Sequence, residues 1–143
     1  MNTLSKITIV LFFLTQFLAA QEQSAAKKSS INVSFGLSIP FNLNLNYEHL
    51  LSNGSYASIG AGKFLTMGGA ANHIDFTHFF LKGKNGHYFE YGYGLLFTDP
   101  FSDLGLLPNA RIGYRKTATS NSRYFRLGFS ISEGIYFSRG LVF

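Results

Sequence analysis

Residues 88–97 read YFEYGYGLLF, and this stretch decides the fold class. Small or polar residues lie between its large side chains, at Glu90, Gly92 and Gly94. Such alternation is typical of a β-strand whose two faces meet different surroundings, because successive strand side chains point to opposite sides. The large side chains that share the other face are Phe89, Tyr91, Tyr93, Leu95 and Phe97.

The same period of two recurs along the chain and predicts eight strands. In residues 41–48 a helix is excluded, because its apolar stripe would require a period of 3.6. Tight turns are expected after strands two, four and six, with Asn53-Gly54 the strongest hairpin signal. Longer loops are expected at 66–72 and 98–108. The predicted strands are 31–39, 41–48, 56–65, 73–82, 88–97, 110–115, 124–131 and 135–143.

The facing of strand four is ambiguous in the sequence. Ile74, Phe76 and Phe80 compete with Phe79 and Leu81 for the apolar face. We assign the polar residues Asp75 and Thr77 to the interior of the barrel.

The composition favours a membrane β-barrel over a soluble domain. Aromatic residues make up 17% of the chain and charged residues only 13%, against about 25% charged residues in an average soluble domain. After residue 20 the sequence has no apolar run long enough for a transmembrane helix. A membrane barrel shows this combination because only alternate residues face lipid. The sequence therefore predicts an all-β fold, an eight-stranded antiparallel up-and-down transmembrane β-barrel.

The first residues predict export. Residues 1–6 carry one positive charge, the apolar run 7–20 follows, and Ala19 and Ala20 precede the polar residue Gln21. This is the pattern of a cleaved signal peptide, and the run is short of the roughly 20 residues that a membrane anchor needs. The expected organisation is a signal peptide at 1–20, a flexible periplasmic lead-in at 21–30 and the barrel at 31–143. Because the chain has no cysteine, disulfides, thiolate metal sites and a lipid anchor on cysteine are excluded.

The basic residues do not indicate nucleic-acid binding. Twelve Lys and Arg against seven Asp and Glu give a formal charge of +5, but the cations are scattered, whereas a nucleic-acid footprint is clustered. Several charged residues fall on the polar faces of the strands. An eight-stranded barrel is just wide enough to be filled by side chains, and buried charges must be paired. An ion-pair network that plugs the lumen is therefore expected, with an ion or solute path as the alternative. Its candidate members are Glu48, Asp75, Glu90, Arg111, Arg115 and Arg126.

The strand faces opposite the polar ones supply candidate lipid contacts. A secreted, soluble lipocalin-like barrel that binds a small apolar ligand is the alternative, and it would turn apolar residues inward and charge outward. Strand five discriminates the two, by whether Tyr91 and Tyr93 or Glu90 and Gly92 face the surroundings. The lipid-facing residues expected in the membrane barrel include Phe89, Tyr91, Tyr93, Phe125 and Phe129.

No catalytic residue, metal site or cofactor is predicted. His73 and Asp75 lie near one end of strand four, and Ser102 could approach them, which leaves a rim enzyme acting on lipid as a third alternative. However, no spacing enforces a Ser-His-acid geometry, by which a triad is recognised. The four histidines lie on different strands or turns and lack the local spacing of metal ligands.

Several short motifs occur in order along the chain: Leu45-Asn46-Tyr47-Glu48, Gly83-Lys84, His87-Tyr88-Phe89-Glu90, Gly92-x-Gly94, Ile112-Gly113-Tyr114-Arg115, Arg126-Leu127-Gly128-Phe129 and Gly140-Leu141-Val142-Phe143. On these motifs the chain resembles a family of small, mostly uncharacterised outer-membrane β-barrel proteins of Gram-negative bacteria. The resemblance implies a location in the cell outer membrane, a structural or surface-interaction role, and outer-membrane lipid and the barrel-insertion machinery as partners; any surface partner is unknown. It also implies that the C-terminal aromatic Phe143, with Phe137 and Leu141, is the insertion signal.

Arg139 departs from this pattern. It shares a predicted face with Phe137 and Leu141, where an apolar residue is expected. An arginine facing lipid at the membrane midplane costs about 2–4 kcal/mol. Three explanations stay open: the side chain snorkels to the interface, it marks a partner contact, or the predicted register is wrong.

Overall fold

Eight antiparallel strands close into one barrel in chain order, so the predicted fold class is confirmed. The structure, a computed structural model, describes residues 29–38, 41–51, 53–67, 69–98, 105–118 and 122–143. The predicted signal peptide lies outside the described residues, as does the lead-in up to residue 28. The strands are β1 (Ser29–Leu37), β2 (Phe41–Leu50), β3 (Ser55–Thr66), β4 (Gly69–Lys84), β5 (His87–Thr98), β6 (Gly105–Thr117), β7 (Arg123–Ser130) and β8 (Gly134–Val142).

The strands are strongly tilted. A row of paired residues that starts at Lys84 on β4 returns to β4 at Ile74, ten residues away, after one circuit of the barrel. Such a stagger requires strands inclined to the barrel axis, typically by 35–45°. It also brings residues together that lie at different positions along their strands. The row runs through Lys84, His87, Lys116, Phe125, Arg139, Val33, Leu45, Ala61 and Ile74.

Polar side chains face the lumen and apolar side chains face outward. On β5, Tyr93 is 56% exposed, whereas Glu90 is 0% exposed. The alternation seen in the sequence therefore separates the two walls as predicted. It is the reverse of the arrangement that the soluble lipocalin-like alternative requires.

The ambiguous strand β4 is resolved by its burial pattern. Asp75 and Thr77 are buried in the lumen, as we assigned them, and Phe79 joins them there at 0% exposure. Ile74 and Phe76 lie on the other face of the strand. An apolar residue inside a polar lumen is the reason why the sequence pattern was ambiguous.

The predicted loop at 66–72 is wrong. β4 begins at Gly69, and Gly69 pairs with Thr66 of β3. The Gly, Ala and Asn residues of this segment are typical of loops, yet here they continue the ladder, since Ala70 and Ala71 pair with Leu65 and Phe64. β6 likewise begins at Gly105, inside the predicted loop 98–108, of which residues 99–104 lie outside the described part.

A tight turn joins β4 to β5, as expected. Asn85 and Gly86 both have positive φ, at 55° and 80°. A type I′ hairpin turn requires this backbone, which Asn-Gly adopts readily. Among the described residues no helix is long and apolar enough to cross a membrane.

Candidate functional site

Glu48 is the centre of a buried ionic cluster in the lumen. Its place on the inward face of β2 makes it 0% exposed. Arg115 donates from Nη1 to Glu48 Oε2 at 3.1 Å, and Arg126 donates to Glu48 Oε1. These arginines come from β6 and β7, which do not pair with β2, so both contacts cross the lumen.

Neutral groups complete the coordination of Glu48. Ser30 Oγ and Tyr124 Oη donate to Oε2 at 2.9 and 3.0 Å, and Asn32 Nδ2 donates to Oε1 at 2.9 Å. Each carboxylate oxygen thus accepts from an arginine and at least one neutral group. A buried charge is tolerated when it is paired and hydrogen-bonded in this way.

Glu90 extends the cluster along the lumen. Its Oε2 lies 2.9 Å from Arg126 Nε, and its Oε1 lies 3.8 Å from Arg111 Nη1. Arg111 also contacts Glu133, with 3.5 Å between Nη2 and Oε2. The charges therefore alternate in sign along a chain from Glu48 through Arg126, Glu90 and Arg111 to Glu133.

Aromatic rings flank the three arginines. The guanidinium carbon of Arg115 lies 3.7 Å from the centroid of the Tyr124 ring. The same atom of Arg111 lies 5.4 Å from the centroid of Tyr136. A cation over an aromatic face is stabilised further when water is excluded.

Glycines on neighbouring strands make room for these rings. A Cβ at Gly128 would lie 2.6 Å from Tyr136 Oη, and a Cβ at Gly140 would lie 2.5 Å from Tyr124 Cε1. Both distances are below van der Waals contact. The rings of Tyr136 and Tyr124 therefore fit over bare backbone at these two glycines.

Asp75 stands apart from the ionic chain that we predicted it would join. It forms no ion pair with a described residue; instead it accepts from Asn44 and, at 3.5 Å, from Thr77 Oγ1. The remaining five predicted residues lie in the ionic cluster. Asp75 belongs to a neutral part of the lumen, made of asparagine and serine side chains. Its members include Ser34, Asn42, Asn44 and Asn46.

His73, the histidine of the rim-enzyme alternative, contacts an aromatic ring in the lumen. Its ring packs against Phe64 at an interplanar angle of 34°, with 4.5 Å between centroids. Neither ring nitrogen has a hydrogen-bond partner among the described residues, and residues 102–103 lie outside them. No group of three or more His, Cys, Asp or Glu suited to a metal ion occurs in the described part of the chain.

Three lumen residues were missed by the sequence reasoning. Tyr124 and Tyr136 are aromatic residues on polar faces, and a pattern of alternating polarity does not single them out. Glu133 lies in the turn between β7 and β8, where no strand period applies, and it accepts from Ser34 Oγ at 3.1 Å. No local sequence signal identifies its place in the lumen.

The outer wall carries the predicted lipid-facing residues. Polar atoms on this wall pair with each other: His78 Nδ1 lies 3.0 Å from Tyr93 Oη, and His87 Nδ1 contacts Tyr114 Oη. The side chains proposed as the insertion signal are exposed on the same wall. The exposed side chains of these two sets are Phe89, Tyr91, Tyr93, Phe125, Phe129, Phe137, Leu141 and Phe143.

Among the described side chains, negative charge is confined to the lumen, whereas positive charge occurs on both walls. All the acidic residues that the structure describes are buried: Glu48, Asp75, Glu90 and Glu133. The described cations outside the lumen are all exposed. They are Lys63, Lys82, Lys84, Lys116, Arg123 and Arg139.

These features define a class: closed antiparallel β-barrels with a polar interior and an apolar exterior. No protein-family model and no curated protein matches the sequence. Among solved structures, the chain is similar to the N-terminal β-barrel domain of Pseudomonas aeruginosa OprF, with a TM-score of 0.66 and 14% identity. The match covers 81% of this chain and 97% of that domain. At this identity the similarity concerns the fold.

Proposed function

We propose that this chain is an outer-membrane β-barrel protein with a structural or surface-interaction role and a lumen plugged by side chains. The single observation that carries the proposal is the inverted polarity of the barrel. The described residues include 24 exposed large hydrophobic side chains and only six buried ones. A soluble monomer rarely exposes a continuous apolar surface of this extent.

The backbone supports a membrane location as well. Every strand pairs on both sides because β1 closes onto β8. In lipid each backbone polar group needs an internal partner, and a closed barrel provides it. The OprF domain, which the fold resembles, comes from a bacterium with an outer membrane, and this agrees with the proposed location.

The proposed orientation rests on the position of Phe143. Ser29 and Phe143 lie at the same end of the barrel, since their backbones exchange hydrogen bonds of 2.9 and 2.8 Å. The tight turn at Asn85-Gly86 belongs to this end too. Connections of two or three residues occur at both ends of the barrel, so the placement rests on Phe143: we place its end in the periplasm, where the insertion machinery can reach it.

Cell fractionation combined with gel mobility tests the location. The protein should occur in the outer-membrane fraction and migrate differently before and after boiling, because a closed barrel resists unfolding by detergent. A soluble periplasmic protein without heat-modifiable mobility would contradict the proposal. That result would favour the lipocalin-like alternative.

Planar-bilayer recordings test the plug. The purified barrel should show no stable conductance, because in this proposal the paired charged side chains between Glu48 and Glu133 plug the lumen. A steady open channel would contradict the plug and leave the membrane location intact. The two parts of the proposal are thereby tested separately.

A further inference from the structure

A basic groove lies on the outer wall, near the end of the barrel that holds Phe143. It is open to the surroundings and has a volume of about 410 Å³. Three cations from three successive strands line it, together with an exposed aromatic side chain. The lining residues are Lys116, Ala118, Arg123, Tyr124, Phe125 and Arg139.

The register explains how the cations come together. Lys116, Phe125 and Arg139 occupy one row across β6, β7 and β8, so two cations flank one phenyl ring. Arg139 lines the same groove as Ala118, which follows the last residue of β6. The Arg139 side chain therefore extends toward the strand ends, where Arg123 begins β7.

No described residue supplies a counterion for this groove. None of the three cations forms an ion pair with a described residue, and all the described acidic side chains are buried in the lumen. Like charges held together without an anion repel each other. An anion from outside the chain would relieve this repulsion.

We infer that the groove binds the phosphate of an anionic phospholipid headgroup. The inference rests on the proposed membrane location. The apolar side chains next to the groove are exposed at 44% for Phe125 and 39% for both Leu127 and Phe137. They offer acyl chains a surface that a free phosphate ion would not use. The inference also explains Arg139, whose guanidinium meets the headgroup instead of the acyl region.

Native mass spectrometry tests the inference on the folded barrel. The barrel is prepared in maltoside micelles that contain equal amounts of phosphatidylglycerol and phosphatidylcholine, and bound lipids are counted. We expect the wild-type barrel to retain phosphatidylglycerol at least tenfold better, because each basic residue near an anionic lipid contributes roughly fivefold. The K116Q/R123Q/R139Q variant should lose most of this preference.

The K63Q/K82Q/K84Q variant is the matched control. It removes the same number of exposed cations from the outer wall but none from the groove, so it should keep most of the wild-type preference. Equal loss in both variants, or equal retention of the two lipids by the wild type, would overturn the inference. Displacement of phosphatidylglycerol by millimolar inorganic phosphate would also overturn it and assign the groove to a free anion.

Heat-modifiable mobility is measured for every variant. A wild-type barrel that is heat-modifiable but shows no lipid preference contradicts only the inference that the groove binds lipid. A wild-type chain without heat-modifiable mobility would contradict the proposed membrane barrel, and with it the groove.

Discussion

At the scale of single residues, Glu48 pairs with two buried arginines, Arg115 and Arg126. Arg115 has no other ion-pair partner among the described residues. The E48Q substitution should therefore lower the free energy of unfolding by about 3–5 kcal/mol, because it leaves a buried charge unpaired. Urea unfolding of the barrel in lipid vesicles measures this change.

Asp75 offers the matched control for this substitution. It is as buried as Glu48, at 2% exposure, but its partners are the neutral side chains of Asn44 and Thr77. The D75N variant keeps the shape and unpairs no arginine, so its loss should be nearer 1 kcal/mol, the net contribution of one hydrogen bond. Equal losses in the two variants would contradict a special role for the ionic chain.

Gly128 is a second lumen residue at which substitution should destabilise the barrel, because the site has no room for a side chain. The G128A substitution places a Cβ 2.6 Å from Tyr136 Oη and against the carbonyl oxygen of Ile112. Overpacking of this kind costs about 1–3 kcal/mol. In a Y136L background the loss should shrink, because the ring is gone and only the backbone contact remains. Additive losses in this double-mutant cycle would show that the ring is not the obstacle.

At the scale of the strand, β5 decides which wall faces lipid. The chain has no native cysteine, so single cysteines can carry a fluorophore without background. A fluorophore at position 91 or 93 should be quenched by brominated acyl chains, because Tyr91 and Tyr93 are 42% and 56% exposed. Fluorescence in brominated and ordinary vesicles measures the quenching.

Leu96 supplies the inward control on the same strand. It is 1% exposed, so a cysteine there should stay unlabelled in the folded barrel. Labelling at 96 together with unquenched fluorophores at 91 and 93 would reverse the faces of the strand.

Strand facing could be read from the sequence because it depends on a local period of two. The start of β4 could not be read in this way. Its first residues, Gly69 to Asn72, resemble a loop, and only their pairing with β3 shows that they are strand. Pairing between strands depends on the whole sheet. The alternation pattern of one segment therefore does not show with which residues that segment pairs.

At the scale of the whole molecule, the sequence pattern predicted which residues face the lumen better than it predicted which of them interact. Glu48 and Arg126 lie 78 positions apart in the chain, and their meeting depends on the stagger of the closed barrel. Single-strand patterns do not contain this stagger. For that reason Asp75 was grouped with the arginines, and Glu133 was overlooked.

Barrel assembly gives the prediction that belongs to this scale. The F143A substitution should lower the amount of protein in the outer membrane severalfold if the aromatic side chain is the insertion signal. Its backbone hydrogen bonds with Ser29 remain, so closure of β1 onto β8 is not weakened directly. Quantitative immunoblotting of membrane fractions measures the amount.

The F143Y substitution is the control, because it keeps an aromatic ring at the terminus. Its level in the membrane should match that of the wild type. A normal level of F143A would rule out a terminal aromatic signal.

The order of charges along the lumen has a consequence for a divided chain. The inward residues of β1 to β4 include two carboxylates, Glu48 and Asp75, and no arginine, whereas all three buried arginines lie on β6 and β7. Two fragments separated at Asn85-Gly86 would therefore carry opposite excess charge on their lumen faces. Each fragment is incomplete without the other, so co-expressed half-barrels should recognise each other in preference to a second copy of themselves.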